Sequence, residues 1–105
     1  MIRGPQYTPI PEEMADKVIG LVMKEESIDH DTLLSKSRKM GIVAARNLCA
    51  YLLSSMGYSN GAIGKVLHLN HATIYHSVKS VTGSMDIYIG KRKKIQRLLG
   101  ELITE

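Results

Sequence analysis

The sequence predicts a compact all-α domain of several helices, one pair of which forms a helix-turn-helix. Apolar residues recur three and four positions apart along most of the chain, which is the spacing of amphipathic helices. The 105 residues suffice for one domain, and a hydrophobic content of 44% suffices for a core. Because the chain has no Phe and no Trp, that core must consist of aliphatic side chains that favour helices. We expect no sheet.

The N-terminal part predicts a short lead-in followed by a first helix. Residues 1–10 show no periodicity, which predicts a flexible segment, and the single domain is predicted to span residues 11–105. Pro11 suits the first turn of a helix that should extend to Glu26. The apolar positions of this helix are Met14, Val18, Leu21 and Val22.

The next segment predicts a short helical turn, a loop and a long helix. Asp31 is expected to cap a turn containing Leu33 and Leu34. Residues 35–41 interrupt the apolar pattern with polar and basic side chains, and we call this segment the basic loop. A central helix is predicted from Ile42 to Ser55. Its apolar stripe contains Ala44, Leu48, Tyr51, Leu52 and Met56, and Gly57 is expected to end it.

Residues 59–82 predict two helices joined by a tight turn at residues 68–70. Ser59 is a preferred N-cap for the first helix, and Asn70 is one for the second. Gly64 lies inside the first helix, where glycine costs about 1 kcal/mol, so we expect it to permit close approach of the second. The second helix is predicted to bury Ile74, Ser77, Val78 and Val81 and to stop at Thr82, Gly83 and Ser84.

A last amphipathic helix is predicted within residues 85–105. Its apolar positions are Ile95, Leu98, Leu99 and Leu102, and its cationic cluster is Lys91, Arg92, Lys93, Lys94 and Arg97. This cationic face is also a candidate for contact with a partner protein.

The middle of the chain contains basic residues without acidic ones. No Asp or Glu occurs between Asp31 and Asp86, whereas the same stretch contains Lys36, Arg38, Lys39, Arg46, Lys65 and Lys79. Because helical surfaces normally mix both signs of charge, this segment indicates a surface for a polyanion. A solvated positive face would explain the charge equally well.

Composition limits the other classes of function. Cys49 is the only cysteine, so an intrachain disulfide is impossible and a role in the core is expected. No signal peptide is recognisable, and no apolar run approaches the roughly 20 residues that cross a bilayer. We therefore expect a cytoplasmic protein that does not enter a membrane.

Several motifs in one order resemble the C-terminal DNA-binding domain of the bacterial replication initiator family DnaA. Residues 33–39 resemble its basic loop, residues 42–47 the start of its long helix, and Ile63-Gly64 with residues 70–77 its helix-turn-helix signature. The similarity extends from about Pro11 to Val81, and more weakly to the last helix. The resemblance implies a Trp-repressor-like fold and sequence-specific binding of double-stranded DNA, linked to replication initiation or its regulation.

The resemblance also implies roles for individual residues. Arg38 corresponds to an arginine that enters the minor groove, where narrow A·T-rich DNA concentrates negative potential. A solvated loop arginine is the alternative. The predicted base contacts of the second helix are Asn70, His71, Ala72, Thr73 and Tyr75. The predicted phosphate contacts are Lys36, Lys39, Arg46, Ser59, Lys65, His76 and Lys79.

The sequence departs from the family pattern at four positions. The family commonly has Asp at Asn70 and a hydroxyl residue at Ala72, so an acceptor suited to cytosine becomes an amide able to pair with adenine. The preferred DNA site is therefore expected to differ. His68 replaces a turn glycine and Leu69 an arginine. Because histidine tolerates positive φ, the turn should persist, although Leu69 cannot bind a phosphate as an arginine would.

No nucleotide, cofactor, metal or catalytic site is predicted. The pair Gly64-Lys65 fails the phosphate-loop pattern, because Val66 follows the lysine and Ser59 replaces the first glycine. The chain is thus expected to be a stand-alone relative of the initiator or a fragment of a longer protein. A metal site of His68, His71 and His76 is disfavoured because Cys and carboxylate partners are missing nearby.

Two other classes of function compete with DNA recognition. An enzyme is disfavoured because the acidic residues lie largely at the chain ends and form no paired motif. The same fold could instead serve as a transcription regulator or a protein-interaction module. Sequence-selective binding would distinguish a DNA reader from a partner-binding module, which would bind any duplex only weakly.

Overall fold

Six helices and no strand make up residues 9–103, which are the residues that the computed structural model describes. The predicted all-α fold is confirmed. The helices are α1 (Glu12–Glu26), α2 (His30–Leu33), α3 (Met40–Ser55), α4 (Asn60–Leu67), α5 (His71–Ile87) and α6 (Ile89–Ile103). Residues 1–8, which are most of the predicted flexible segment, lie outside the described residues.

Helix α3 is the central helix, as its apolar pattern predicted. It packs against α1, α2, α4 and α5, so its buried residues face several directions. They are Ala45, Arg46, Leu48, Cys49, Ala50, Leu52 and Leu53. The buried face is shifted from the predicted stripe, because Ala44 is exposed and its neighbour Ala45 is buried.

Cys49 occupies the middle of this core and is fully buried. Burial, with a smaller contribution from the charge of Glu26, raises the pKa of its thiol to about 12. The thiol is therefore protonated at neutral pH and unreactive. This agrees with the packing role predicted for Cys49.

The start of α2 corrects one prediction. Asp29, and not Asp31, is the N-cap, and its side chain accepts the Thr32 N–H at 2.8 Å. This hydrogen bond lowers the pKa of the Asp29 carboxyl below its usual value. Asp31 lies inside α2, because the helix begins at His30. Both aspartates are good caps in isolation, so residue type alone did not separate them.

The end of α5 corrects a second prediction. The helix continues through Thr82, Gly83 and Ser84 and ends at Ile87. The Thr82 hydroxyl donates to the Val78 carbonyl at 2.9 Å, and the Ser84 hydroxyl donates to the preceding turn in the same way. These side chains bond within the helix and do not terminate it. One glycine costs only about 1 kcal/mol, which packing against α3 and α6 offsets.

Helix α6 closes the domain by packing against α1 and α5. Its buried residues are Ile95, Leu98 and Leu102. Two of its cations pair with the end of α1: Lys94 with Glu26, and Arg97 with Glu25 at 2.8 Å. Within residues 9–103, no helix is both long enough and apolar enough to cross a membrane.

Candidate nucleic-acid interface

Helices α4 and α5 form the predicted helix-turn-helix, and both of its N-caps are those that the sequence predicted. The Ser59 hydroxyl accepts the Ala62 N–H at 3.1 Å at the start of α4. The Asn70 side-chain oxygen accepts the Thr73 N–H at 2.9 Å at the start of α5. Each cap satisfies one donor that the helix leaves without an internal partner.

Gly64 lies where the turn returns against α4. A Cβ added at this position would overlap the carbonyl oxygen of Leu69, which is a backbone atom. The Leu69 N–H donates to the Gly64 carbonyl at 2.9 Å, so the two backbones are held together. The close approach predicted for Gly64 is therefore confirmed, and it sets the position of α5 relative to α4.

His68 adopts the left-handed conformation that the sequence predicted for a position usually occupied by glycine. Its φ is 60° and its ψ is 41°, and its backbone N–H donates to the Gly64 carbonyl. The side chain is exposed. A Cβ makes this conformation unfavourable, so the turn persists at some cost in stability.

Changing His68 to glycine should raise the free energy of unfolding by about 1 kcal/mol, because glycine adopts positive φ without a steric cost. Urea denaturation would measure the change. Ser80→Gly is the matched control, because Ser80 is an exposed residue inside α5. Replacing its side chain with hydrogen should lower the free energy of unfolding by about 1 kcal/mol. A loss of stability in His68→Gly would contradict the prediction.

The basic loop lies beside the helix-turn-helix. One cleft is lined by loop residues 35–38, by His68 and Leu69 of the turn, and by Thr73 of α5. Arg38 and Thr73 therefore border the same opening, although 35 positions separate them in the sequence. A shallower depression next to it is lined by Lys65, His68, Asn70 and His71 among others.

The exposed side of α5 contains four of the predicted base contacts and two of the predicted phosphate contacts. Its buried residues are Ile74, Ser77 and Val81, and Val78, predicted to be buried, is partly buried. The exposed residues are His71, Ala72, Thr73, Tyr75, His76 and Lys79. The Lys79 ammonium lies 5.7 Å from the centre of the Tyr75 ring. The centres of the Tyr75 and His76 rings lie 5.4 Å apart in an edge-to-face arrangement. Tyr75, His76 and Lys79 thus form one exposed group.

The cations near this cleft differ from three of those on α6. Lys36, Arg38, Lys39 and Lys65 are exposed and make no ion pair within residues 9–103. On α6, by contrast, Arg92, Lys94 and Arg97 pair with acidic residues. Lys91 and Lys93 of α6 are exposed and unpaired within the same residues, so uncompensated positive charge lies on the loop, on the helix-turn-helix and at the start of α6. In the same described part of the chain, no three His, Cys, Asp or Glu side chains form a group that could hold a metal.

Arg46, which the sequence placed among the phosphate contacts, is largely buried and lines the same cleft as Arg38 and Thr73. Its exposed fraction is 8%, and its guanidinium donates to the backbone carbonyls of Ser35 and Ser37 in the basic loop. The sequence did contain an indication that Arg46 is buried. Arg46 precedes Cys49 by three residues and Ala50 by four, which is the spacing of one buried face of α3.

A family model, described as bacterial dnaA protein helix-turn-helix, matches residues 15–81. The chain belongs to this family. The matched range runs from α1 into α5, so it contains the basic loop, all of α4, the first part of α5 and every residue that lines the cleft. The predicted membership in the DnaA family is confirmed.

Curated DnaA proteins are similar to most of this chain. It is 31% identical over 85 residues to the chromosomal replication initiator protein DnaA of Bacteroides fragilis, covering 79% of this chain and 18% of that protein. The DnaA of Bacteroides thetaiotaomicron is 28% identical over 100 residues, with 93% and 21% covered. The DnaA of Ureaplasma parvum is 36% identical over 73 residues, with 68% and 16% covered. The chain thus spans about a fifth of the length of these relatives.

Proposed function

We propose that this DnaA-family domain binds double-stranded DNA sequence-selectively, with the start of α5 in the major groove and the basic loop in the adjacent minor groove. The relatives are named chromosomal replication initiators, so we link this binding to replication initiation or its regulation. Membership in a helix-turn-helix family supports DNA binding in general. Family membership alone does not specify which grooves are bound, so we propose the two-groove arrangement separately.

The observation that best supports the two-groove arrangement is the cleft shared by Arg38 and Thr73. A helix that enters a major groove has phosphates on either side, and the next minor groove begins beyond one of those backbones. A cationic loop beside the N-terminal end of α5 would reach that minor groove. An arginine is favoured there because a narrow minor groove has an enhanced negative potential.

The candidate contact residues divide into two sets by position. We assign base contacts to the residues at the start of α5 together with the loop arginine: Arg38, Asn70, His71, Ala72, Thr73 and Tyr75. We assign phosphate contacts to Lys36, Lys39, Ser59, Lys65, His76 and Lys79. Ser59 is included because it caps α4, and helix N-termini attract phosphate.

Selection of bound sites from a random duplex pool tests the proposal directly. The domain should enrich one motif containing an A·T-rich segment beside the major-groove contacts. A labelled duplex of that motif should then bind about 10³-fold or more tightly than a scrambled duplex at one fixed salt concentration, which is the lower end for specific DNA-binding proteins. Equal affinity for both duplexes, with a steep salt dependence, would reject sequence-selective recognition.

Asn70 is expected to influence which base is preferred. Because its Oδ1 accepts the Thr73 N–H, its Nδ2 donor is the group left to approach a base acceptor. Asn70→Asp should keep the cap and present an acceptor instead, which favours a donor such as cytosine N4. Site selection should therefore show a change at one position, with a discrimination of about 1–3 kcal/mol.

Asn70→Ser provides the matched control for this change. Serine caps helices about as well as asparagine, but it is shorter and removes the outer amide. The variant should keep its stability and lose preference at the position that Asn70→Asp alters. If all three proteins select one identical motif, Asn70 makes no base contact.

A protein contact at the junction of α5 and α6 is a second candidate function. Ile87, Tyr88 and Ile89 are consecutive and are 73%, 58% and 72% exposed, which is unusual for large apolar side chains. Lys91 and Lys93 lie next to them and are exposed, so the surface suits an acidic partner with apolar residues. An Ile87→Ser, Ile89→Ser variant should keep its DNA affinity and lose binding to an immobilised acidic apolar peptide. Equal peptide binding by both proteins would reject this surface.

A further inference from the structure

Arg46 is a buried arginine whose hydrogen-bond partners are backbone carbonyls. Arg46 and Ser77 are the two buried polar residues of the described chain. The two terminal nitrogens of the guanidinium donate to the carbonyls of Ser35 and Ser37. Arg46 also lines the cleft that contains Arg38 and Thr73, but both of its terminal nitrogens are engaged with the loop backbone. The cost of burying a charged guanidinium is offset only by specific hydrogen bonds of this kind.

The other hydrogen bonds of the basic loop are local. The Ser35 hydroxyl donates to the Thr32 carbonyl at 2.7 Å, the Ser37 N–H donates to the Ser35 hydroxyl at 3.2 Å, and the Lys39 N–H donates to the Ser37 hydroxyl at 3.2 Å. These bonds shape the loop, but they join residues that are two or three positions apart. They do not attach the loop to the rest of the domain.

Arg46 supplies this attachment. It lies on α3, which packs against α5, and its two bonds reach nine and eleven residues back along the chain to the loop. Residues 35–39 include no fully buried side chain, so apolar packing cannot hold the loop in place. A planar guanidinium fixes two acceptors at once, whereas a lysine ammonium is a point charge on a flexible stem.

We propose that Arg46 is a positioning residue for minor-groove recognition, which holds the basic loop so that Arg38 projects beside α5. Arg38 follows Ser37 directly, and the Ser37 carbonyl is one of the two acceptors of Arg46. This inference rests on the proposed function. This role differs from a phosphate contact, because the guanidinium of Arg46 donates to carbonyls of the protein's own backbone.

A double-mutant cycle with Arg46→Lys and Arg38→Ala tests the role, since lysine keeps the charge but not the paired geometry. Fluorescence anisotropy would compare the selected duplex with one whose minor-groove A·T pairs are G·C. Arg46→Lys should weaken binding to the selected duplex about fivefold or more and reduce its advantage over the G·C duplex. In the Arg38→Ala background the same change should cost less than it does when Arg38 is present, because only the phosphate contacts of Lys36 and Lys39 on the loop are then affected.

A phosphate contact predicts the opposite pattern. Arg46→Lys would then bind almost normally, and Arg46→Ala would weaken binding to both duplexes by the same factor whether residue 38 is arginine or alanine. Either observation would overturn the positioning role. Arg92→Lys is the matched control, because Arg92 also donates to a backbone carbonyl, that of Met85 at 3.3 Å, but lies on α6. It should leave both duplex affinities unchanged.

Amide hydrogen exchange of the protein alone gives a readout that needs no DNA. In Arg46→Lys the amides of Ser37 and Lys39 should exchange at least about fivefold faster, while those of Leu52 and Leu53 in α3 keep their protection. Unchanged loop exchange would overturn the inference. If the unmodified domain shows no sequence selectivity, the proposed function fails, and the exchange result still decides whether Arg46 holds the loop.

Discussion

Gly64→Ala should lower the free energy of unfolding by about 1–3 kcal/mol, the usual cost of inserting an atom into a closely packed site. The added Cβ would overlap the Leu69 carbonyl oxygen, and the hydrogen bond from the Leu69 N–H to Gly64 prevents the backbone from moving away easily. Urea denaturation would measure the loss. Because Leu69 leads directly into the Asn70 cap, DNA affinity should fall as well.

Gly61→Ala is the control within the same helix. A Cβ at Gly61 would meet only the Ser59 hydroxyl, at 4.0 Å, so the substitution adds helix propensity without a clash. It should leave stability unchanged or raise it by up to about 1 kcal/mol. If both alanine variants changed stability in the same direction and to the same extent, close approach at Gly64 would not explain the effect.

Arg38→Ala should weaken binding to the selected A·T-containing duplex by about 1–3 kcal/mol, which is about 5- to 150-fold. The reason is that a minor-groove arginine contributes both its charge and its fit to a narrow groove. Fluorescence anisotropy at one fixed salt concentration would measure it. The loss should be smaller on a duplex whose minor-groove segment is G·C, because that segment offers less negative potential.

Lys24→Ala removes the same unit of charge at a position outside the proposed interface. Lys24 is exposed in the last turn of α1 and does not line the cleft that contains Arg38. Its loss should change affinity for both duplexes only slightly, through the long-range field. If Arg38→Ala and Lys24→Ala lower affinity equally on both duplexes, Arg38 acts only through net charge.

Features that depend on near neighbours in the chain are predictable from residue types. Ser59 and Asn70 cap α4 and α5 as their residue types predicted, whereas the left-handed conformation of His68 was expected from the turn glycine of the resembled family. The sequence also singled out Gly64 as a point of close approach, which the Leu69 carbonyl confirms. Such features follow from hydrogen bonds and steric limits within a few residues, and the spacing of apolar side chains then decides which face of each helix is buried.

Helix boundaries were less predictable, because several residues satisfy the same local rule. Asp29 and Asp31 are equally good caps, and the choice between them depends on where Leu33 must be buried against α1 and α3. Similarly, residues 82–84 resemble a helix end, yet contacts with α3 and α6 extend α5 to Ile87. Tertiary packing outweighs preferences that amount to about 1 kcal/mol each.

Residue types and their spacing were enough to predict an all-α domain and its helix-turn-helix, and the resemblance of its motifs to the DnaA family indicated the membership that the family model shows. Packing of distant segments was needed to bring Arg38 beside Thr73 and to bury Arg46 beneath the loop. The difference is one of range. Periodicity and capping act over a few residues and could indicate that Arg46 lies on a buried face of α3, whereas its carbonyl partners in the loop are set by how distant segments fold around it.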